Sequence, residues 1–144
     1  MAPGICYRGP RGVISQAGRP AVILVVEDNP ANQLLVEAML MGRGYQVRFA
    51  SSAPEALTSI EVERPDLILM DIQLPGQDGL SLTRQLKADP AKSSIRIVAV
   101  SAHAMVGDRQ LSLDAGCMGH ITKPFDTKVL RAQIAGFLST ATQP

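Results

Sequence analysis

The chain has 144 residues, 46% hydrophobic and 19% charged, a balance that suits one globular domain and argues against a multidomain enzyme. Fourteen Lys and Arg against thirteen Asp and Glu leave a net charge of +1, too balanced for a general electrostatic grip on a nucleic-acid backbone. Aromatics at 3% with no Trp leave little material for base-stacking platforms, sugar platforms or cation cages, so no nucleic-acid partner is expected.

Residues 1–20 hold four Gly, three Pro and three Arg with no acid and no periodic apolar face. They read as a disordered leader, either a misassigned start or a tether, and are set apart from the fold. One domain is expected over 21–140, followed by a short tail at 141–144. Ala21 to Val26 is a continuous apolar strand, after which Asn29 and Pro30 supply an N-cap and a first-turn proline for a helix to about Met41. Gly42 and Gly44 stop that helix. Tyr45 to Phe49 reads as a second strand, and Ser52 with Glu55 forms a capping box opening a helix to about Glu63. Leu67 to Met70 is a third strand, and Leu74-Pro75-Gly76 turns into a helix over Gly79 to Ala88, closed by Asp89-Pro90. Ile95 to Val100 is a fourth strand, Ala104 to Ala115 a helix closed by Gly116, and Gly119 to Thr122 a short fifth strand. Asp126 caps a last helix ending near Leu138.

Continuous apolar strands alternating with helices imply a parallel sheet covered on both faces, a doubly wound α/β fold of five strands. Roughly two-thirds of the unfolded surface is buried at this size, so one core suffices without disulfides or structural metal. Cys6 and Cys117 fit neither a disulfide framework nor a metal-ligand pair, and no secretory signal precedes them, so a reducing, cytoplasmic setting is expected. No apolar run approaches the ~20 residues a membrane helix needs, and no membrane partner is expected.

In such sheets ligands bind beyond the carboxyl ends of the strands. Glu27 and Asp28 follow the first strand, Asp71 the third, Ser101 the fourth and Lys123 the fifth, so these five polar residues should converge on one rim. Singly, each has a plain structural reading: the acidic pair as helix N-terminal charge, Asp71 as a turn residue, Ser101 and Lys123 as solvated strand-end groups. Jointly they do not. Crowded carboxylates raise one another's pKa unless a cation neutralises them, and hard oxygen ligands suit Mg²⁺. With Mg²⁺ and the Lys123 ammonium offsetting the charge, one carboxylate is able to attack a phosphoryl donor, which points to phosphoryl transfer.

The motifs Leu24-Val-Val-Glu-Asp-Asn29, Pro65-Asp-Leu-Ile-Leu-Met-Asp-Ile-Gln-Leu-Pro75, Val100-Ser-Ala102 and Lys123-Pro-Phe125 resemble those of the two-component response regulator receiver domains. Ser101 lies 30 and Lys123 lies 52 residues after Asp71, the family's spacing without gaps. The likeness spans Ala21 to about Leu138. It implies a CheY-like, flavodoxin-like sheet of order 2-1-3-4-5, with Asp71 phosphorylated by a sensor histidine kinase or histidine phosphotransfer protein. It further implies Mg²⁺ held by Asp28, Asp71 and the Gln73 carbonyl, with Glu27 acting through a water. Ser101, Lys123 and the Gln73 and Ala102 amides would hold the phosphoryl oxygens.

Two departures from the family pattern concern the switch. Ser101 stands where Thr is commoner, keeping the hydroxyl but losing a methyl that restricts the rotamer. His120, three before Lys123, stands where the family has an aromatic switch. As the switch residue it would link signalling to its charge state; as an ordinary edge-strand histidine it would do nothing special. His103 is placed on the pocket rim, where it would affect phosphoryl lifetime.

Little chain follows the last helix, so output is expected by contact with a downstream protein through the fourth helix, fifth strand and fifth helix. The Asp71–Pro75, Ala104–Asp108 and Gly116-Cys117 segments are similar to the single-domain DivK-like regulators and to receivers of hybrid kinases, which relay phosphate onward. A haloacid-dehalogenase-type phosphatase requires Asp-x-Asp, whereas Asp71 is followed by Ile72 and Gln73. A Rossmann dinucleotide binder requires Gly-x-Gly-x-x-Gly after the first strand, and a phosphate-independent interaction module has no need of the acid, hydroxyl and lysine set.

Overall fold

A computed structural model describes residues 20–74, 76–102, 106–124 and 126–139, with backbone only at 106–108. The expected leader up to Arg19, the Pro75 turn position, rim residue His103, Ala104, Phe125 and the tail lie outside these residues.

Strands and helices alternate strictly: β1 (Val22–Val26), α1 (Pro30–Leu40), β2 (Gln46–Ala50), α2 (Ala53–Val62), β3 (Leu67–Asp71), α3 (Gly79–Ala88), β4 (Arg96–Ser101), α4 (Val106–Ala115), β5 (Gly119–Thr122) and α5 (Thr127–Ser139). All strand pairs are parallel, in the order β2-β1-β3-β4-β5. β1 and β3 are buried at every residue, as interior strands with helices on both faces must be. β2 lies at an edge, and its Gln46 is exposed accordingly.

The helix ends follow their capping residues. Asn29 Oδ1 accepts from Ala31 N at 2.8 Å, Asp78 Oδ1 from Ser81 N at 2.8 Å, and Asp126 Oδ1 from Lys128 N at 2.9 Å and Val129 N at 3.1 Å. The capping box before α2 departs from expectation in one arm. Ser52 Oγ accepts from Glu55 N at 3.3 Å, but the Glu55 carboxylate reaches one residue further back, accepting from Ser51 N at 2.7 Å.

Two apolar layers sandwich the sheet. One joins Leu24, Val26, Ile68, Met70 and Ile97 to α2, α3 and α4 through residues such as Ile60, Leu82 and Ala115. The other joins Ile23, Val25, Leu69 and Val98 to α1 and α5 through Val36, Leu40, Leu130 and Ile134. The chain leaves β1 toward α1 on one face and β3 toward α3 on the other, with β1 and β3 side by side. The switch point of the topology therefore lies between them, and the crevice beyond their carboxyl ends is where a ligand has room. Among the described residues no helix is long and apolar enough to cross a membrane.

Candidate functional site

Glu27 and Asp28 leave β1 at that crevice, and Asp71 ends β3 beside them. Their carboxylate oxygens lie within 4.8 Å of one another, with Glu27 and Asp71 each only 4% exposed and Asp28 open to solvent. Lys123 arrives from the end of β5, its amide donating to the Ser101 carbonyl at 2.8 Å. Its ammonium lies 2.9 Å from Glu27 Oε1 and 3.4 Å from Asp71 Oδ2. Four of the five strand-end residues thus meet directly. Ser101 stands one position beyond Val100, the register partner of Asp71, and is 3% exposed.

The two buried acids are held differently. Burial pushes Glu27 up, but the hydrogen bond and charge of Lys123 and the Asn29 amide, at 3.1 Å from Oε2, outweigh it and leave the carboxyl below its ordinary value. For Asp71 burial prevails: the Gln73 amide at 2.8 Å from Oδ1 and the more distant Lys123 pull down, the Glu27 charge pushes up, and the carboxyl stands above its ordinary value. Lys123 is lowered by burial, yet its hydrogen bond to Glu27 and the charges of Asp71 and Glu27 raise it overall. Lys123 therefore compensates chiefly Glu27, and Asp71 is the less compensated carboxylate.

Gln73 is exposed, and its amide, expected on a phosphoryl oxygen, here rests on the Asp71 carboxylate itself. Ala102 is exposed just beyond Ser101. His120, expected as a switch, is 8% exposed, with Nε2 3.1 Å from Ser101 Oγ. The oxygen donors of Glu27, Asp28 and Asp71 fit a small hard cation such as Mg²⁺, which takes few carboxylates and fills its remaining positions with water.

Two residues of the site escape a reading of the sequence. Gly79 opens α3 against the end of β3: a Cβ there would overlap the Asp71 carbonyl oxygen and stand 2.9 Å from both the Asp71 carbonyl carbon and the Ile72 Cα. The available signal was a glycine, a poor helix former, directly after a capping Asp. Gln33 on α1 donates from Nε2 to the Glu27 carbonyl at 2.6 Å and to Ser51 Oγ at 3.3 Å, tying the acidic end of β1 to the end of β2. No local pattern announces it, because the tie depends on which strands are neighbours.

Residues 23–135 match the family model of the response regulator receiver domain. The response regulator PleD of Caulobacter vibrioides is 40% identical over 114 residues, which cover 79% of this chain and 25% of PleD, so the chain spans about a quarter of that relative. The polar-differentiation response regulator DivK of Brucella anthropi is 38% identical over 122 residues, 85% of this chain and 99% of DivK. Among solved structures, the receiver domain of the sensor histidine kinase PA1611 of Pseudomonas aeruginosa, with a magnesium ion coordinated in its active-site cleft, superposes with a TM-score of 0.76 at 39% identity. That match covers 84% of this chain and 99% of the neighbour.

Proposed function

The chain belongs to the response regulator receiver family, and from that membership we propose that it accepts a phosphoryl group on Asp71 from a sensor histidine kinase or histidine phosphotransfer protein. The observation that carries the assignment to Asp71 is its position: a buried, under-compensated carboxylate at the switch point, with a lysine ammonium at 3.4 Å and two further acids alongside. The domain is a signalling phosphoacceptor rather than a classical enzyme.

Asp28 and Asp71, the Gln73 carbonyl, and Glu27 through a water, would hold Mg²⁺. When bound, Mg²⁺ supplies positive charge against the carboxylates and the incoming phosphoryl oxygens. An Asp71 carboxylate oxygen attacks the phosphorus of the donor phosphohistidine in line with the P–N bond. The new P–O bond forms as the P–N bond breaks, and the leaving imidazole keeps the electron pair and takes up a proton. Lys123, 3.4 Å from Asp71 Oδ2, would hold a phosphoryl oxygen together with the Ser101 hydroxyl and the Gln73 and Ala102 amides, donors of the kind that stabilise developing negative charge. The phosphoryl group of the product carries about −1.5 to −2 of charge in place of the single charge of the Asp71 carboxylate, a change read out by a downstream protein on the α4-β5-α5 face, with His120 as the switch residue of β5 and His103 as a modulator of phosphoryl lifetime.

The match to nearly the whole of DivK supports a DivK-like regulator acting by protein contact. The likeness to the PA1611 receiver favours a second reading, a relay receiver of the hybrid-kinase kind. The test of the site is intact-mass measurement after incubation with Mg²⁺ and acetyl phosphate. The wild type gains one phosphoryl group and Asp71→Asn gains none. A wild type that takes neither the phosphoryl group nor beryllofluoride would overturn the proposal.

A further inference from the structure

Ser101 and His120 form a buried polar pair at the end of the sheet. The β4–β5 register sets Ala99 against His120 and Ser101 against Thr122, so the two side chains stand diagonally on one face of neighbouring strands. That is the face of Ala99, covered by α2, α3 and α4. His120 Nε2 and Ser101 Oγ are 3.1 Å apart, a hydrogen bond whose direction depends on which ring nitrogen carries the proton.

A serine hydroxyl has one hydrogen to give and two lone pairs, and a ring nitrogen either donates or accepts. Once Ser101 gives its hydrogen to a phosphoryl oxygen, its contact with His120 survives only with the hydrogen on Nε2. Ser101 also lacks the β-branch that would hold its χ1, so the hydroxyl needs an anchor from outside its own side chain.

On the strength of the receiver reading above, we propose that His120 is a positioning residue for Ser101: capture of a phosphoryl group on Asp71 requires His120 in its Nε2–H form, donating to Ser101 Oγ while Ser101 donates to the phosphoryl oxygen. The hydrogen bonds then run in one direction, from the edge strand to the phosphoryl group. The same bond carries the loaded state into β5, the strand that α4 packs against.

Beryllofluoride with Mg²⁺ serves as the phosphoryl mimic. In protein carrying ¹⁵N-labelled histidine, long-range ¹H–¹⁵N spectra of the loaded state should show His120 Nε2 protonated, with the resonance assigned by its loss in His120→Gln. A bare Nε2 in the loaded wild type overturns the inference. His120→Phe, which has no donor, should bind beryllofluoride about fivefold more weakly, the loss of one ~1 kcal/mol hydrogen bond, and His120→Gln, which keeps a donor, should recover most of that loss. Equal binding by wild type and a folded His120→Phe variant overturns the inference and leaves the receiver reading standing. A wild type that binds no beryllofluoride overturns both. Should His120→Phe fail to fold, the spectrum of the wild type decides.

Discussion

Replacing Gly79 with alanine tests how closely α3 is docked against Asp71. The three atoms nearest the added Cβ are all main chain: it overlaps the Asp71 carbonyl oxygen and stands 2.9 Å from the Asp71 carbonyl carbon and the Ile72 Cα. No rotamer change relieves a clash with backbone, so the β3–α3 connection must shift, straining the 2.9 Å bond from Gly79 N to the Ile72 carbonyl. Overpacking costs ~1–3 kcal/mol and a main-chain clash belongs at the upper end, while alanine regains ~1 kcal/mol of helix propensity over glycine, leaving a net loss of about 2 kcal/mol. For a domain of this size that is a fall of roughly 6–10 °C in Tm. The displacement also moves Asp71 against Lys123, and a ~1 Å misplacement of reacting groups is worth ~100-fold in rate. Thermal melting by circular dichroism reads the first effect, and the time course of phosphoryl uptake from acetyl phosphate, followed by intact mass, reads the second. A Gly79→Ala protein that melts with the wild type and is loaded at the wild-type rate would refute the reasoning.

Asp71 and the acidic cluster make further predictions. Burial raises the Asp71 carboxyl, so between its ordinary and raised values the folded state binds more protons than the unfolded one, and stability falls as pH rises through that window. Asp71→Asn should therefore melt above the wild type at neutral pH without Mg²⁺, with the gap closing as the pH drops to the ordinary carboxylate range; a lower Tm at neutral pH would contradict this. Glu27 has the opposite sign: its lowered carboxyl contributes stability above the ordinary carboxylate range and loses it as pH falls through the lowered value. Mg²⁺ at ~100 times its dissociation constant should stabilise the wild type by about 2.7 kcal/mol, reversibly with EDTA, and Asp28→Asn should show a smaller shift at the same concentration. An undiminished shift in melting experiments would remove Asp28 from the ligand set.

Much of the architecture was legible because its signals are local. The apolar runs of β1 and β3 announce interior parallel strands, and Asn29-Pro30, Ser52 and Asp126 mark helix starts through bonds spanning two or three residues. The strand-end positions of Glu27, Asp28, Asp71, Ser101 and Lys123 follow from that alternation, since every parallel strand delivers its carboxyl end to the same edge. Boundaries moved by about a residue, as at β1, which starts at Val22 rather than Ala21.

What the amino-acid order determined by itself is therefore the set of elements, their sidedness, and the polar groups at one rim, all properties of periodicity and capping over a few residues. The tertiary structure alone decided how those groups share charge and space. Lys123 lies 96 residues from Glu27 and 52 from Asp71, and its closer approach to Glu27 leaves one carboxyl below its ordinary value and the other above. The closeness of Gly79 to Asp71, the reach of Gln33 to Ser51, and the pairing of His120 with Ser101 likewise depend on strand register and helix docking. Distances of a few tenths of an ångström between residues remote in the chain set pKa values and steric room, and only the packed core settles them.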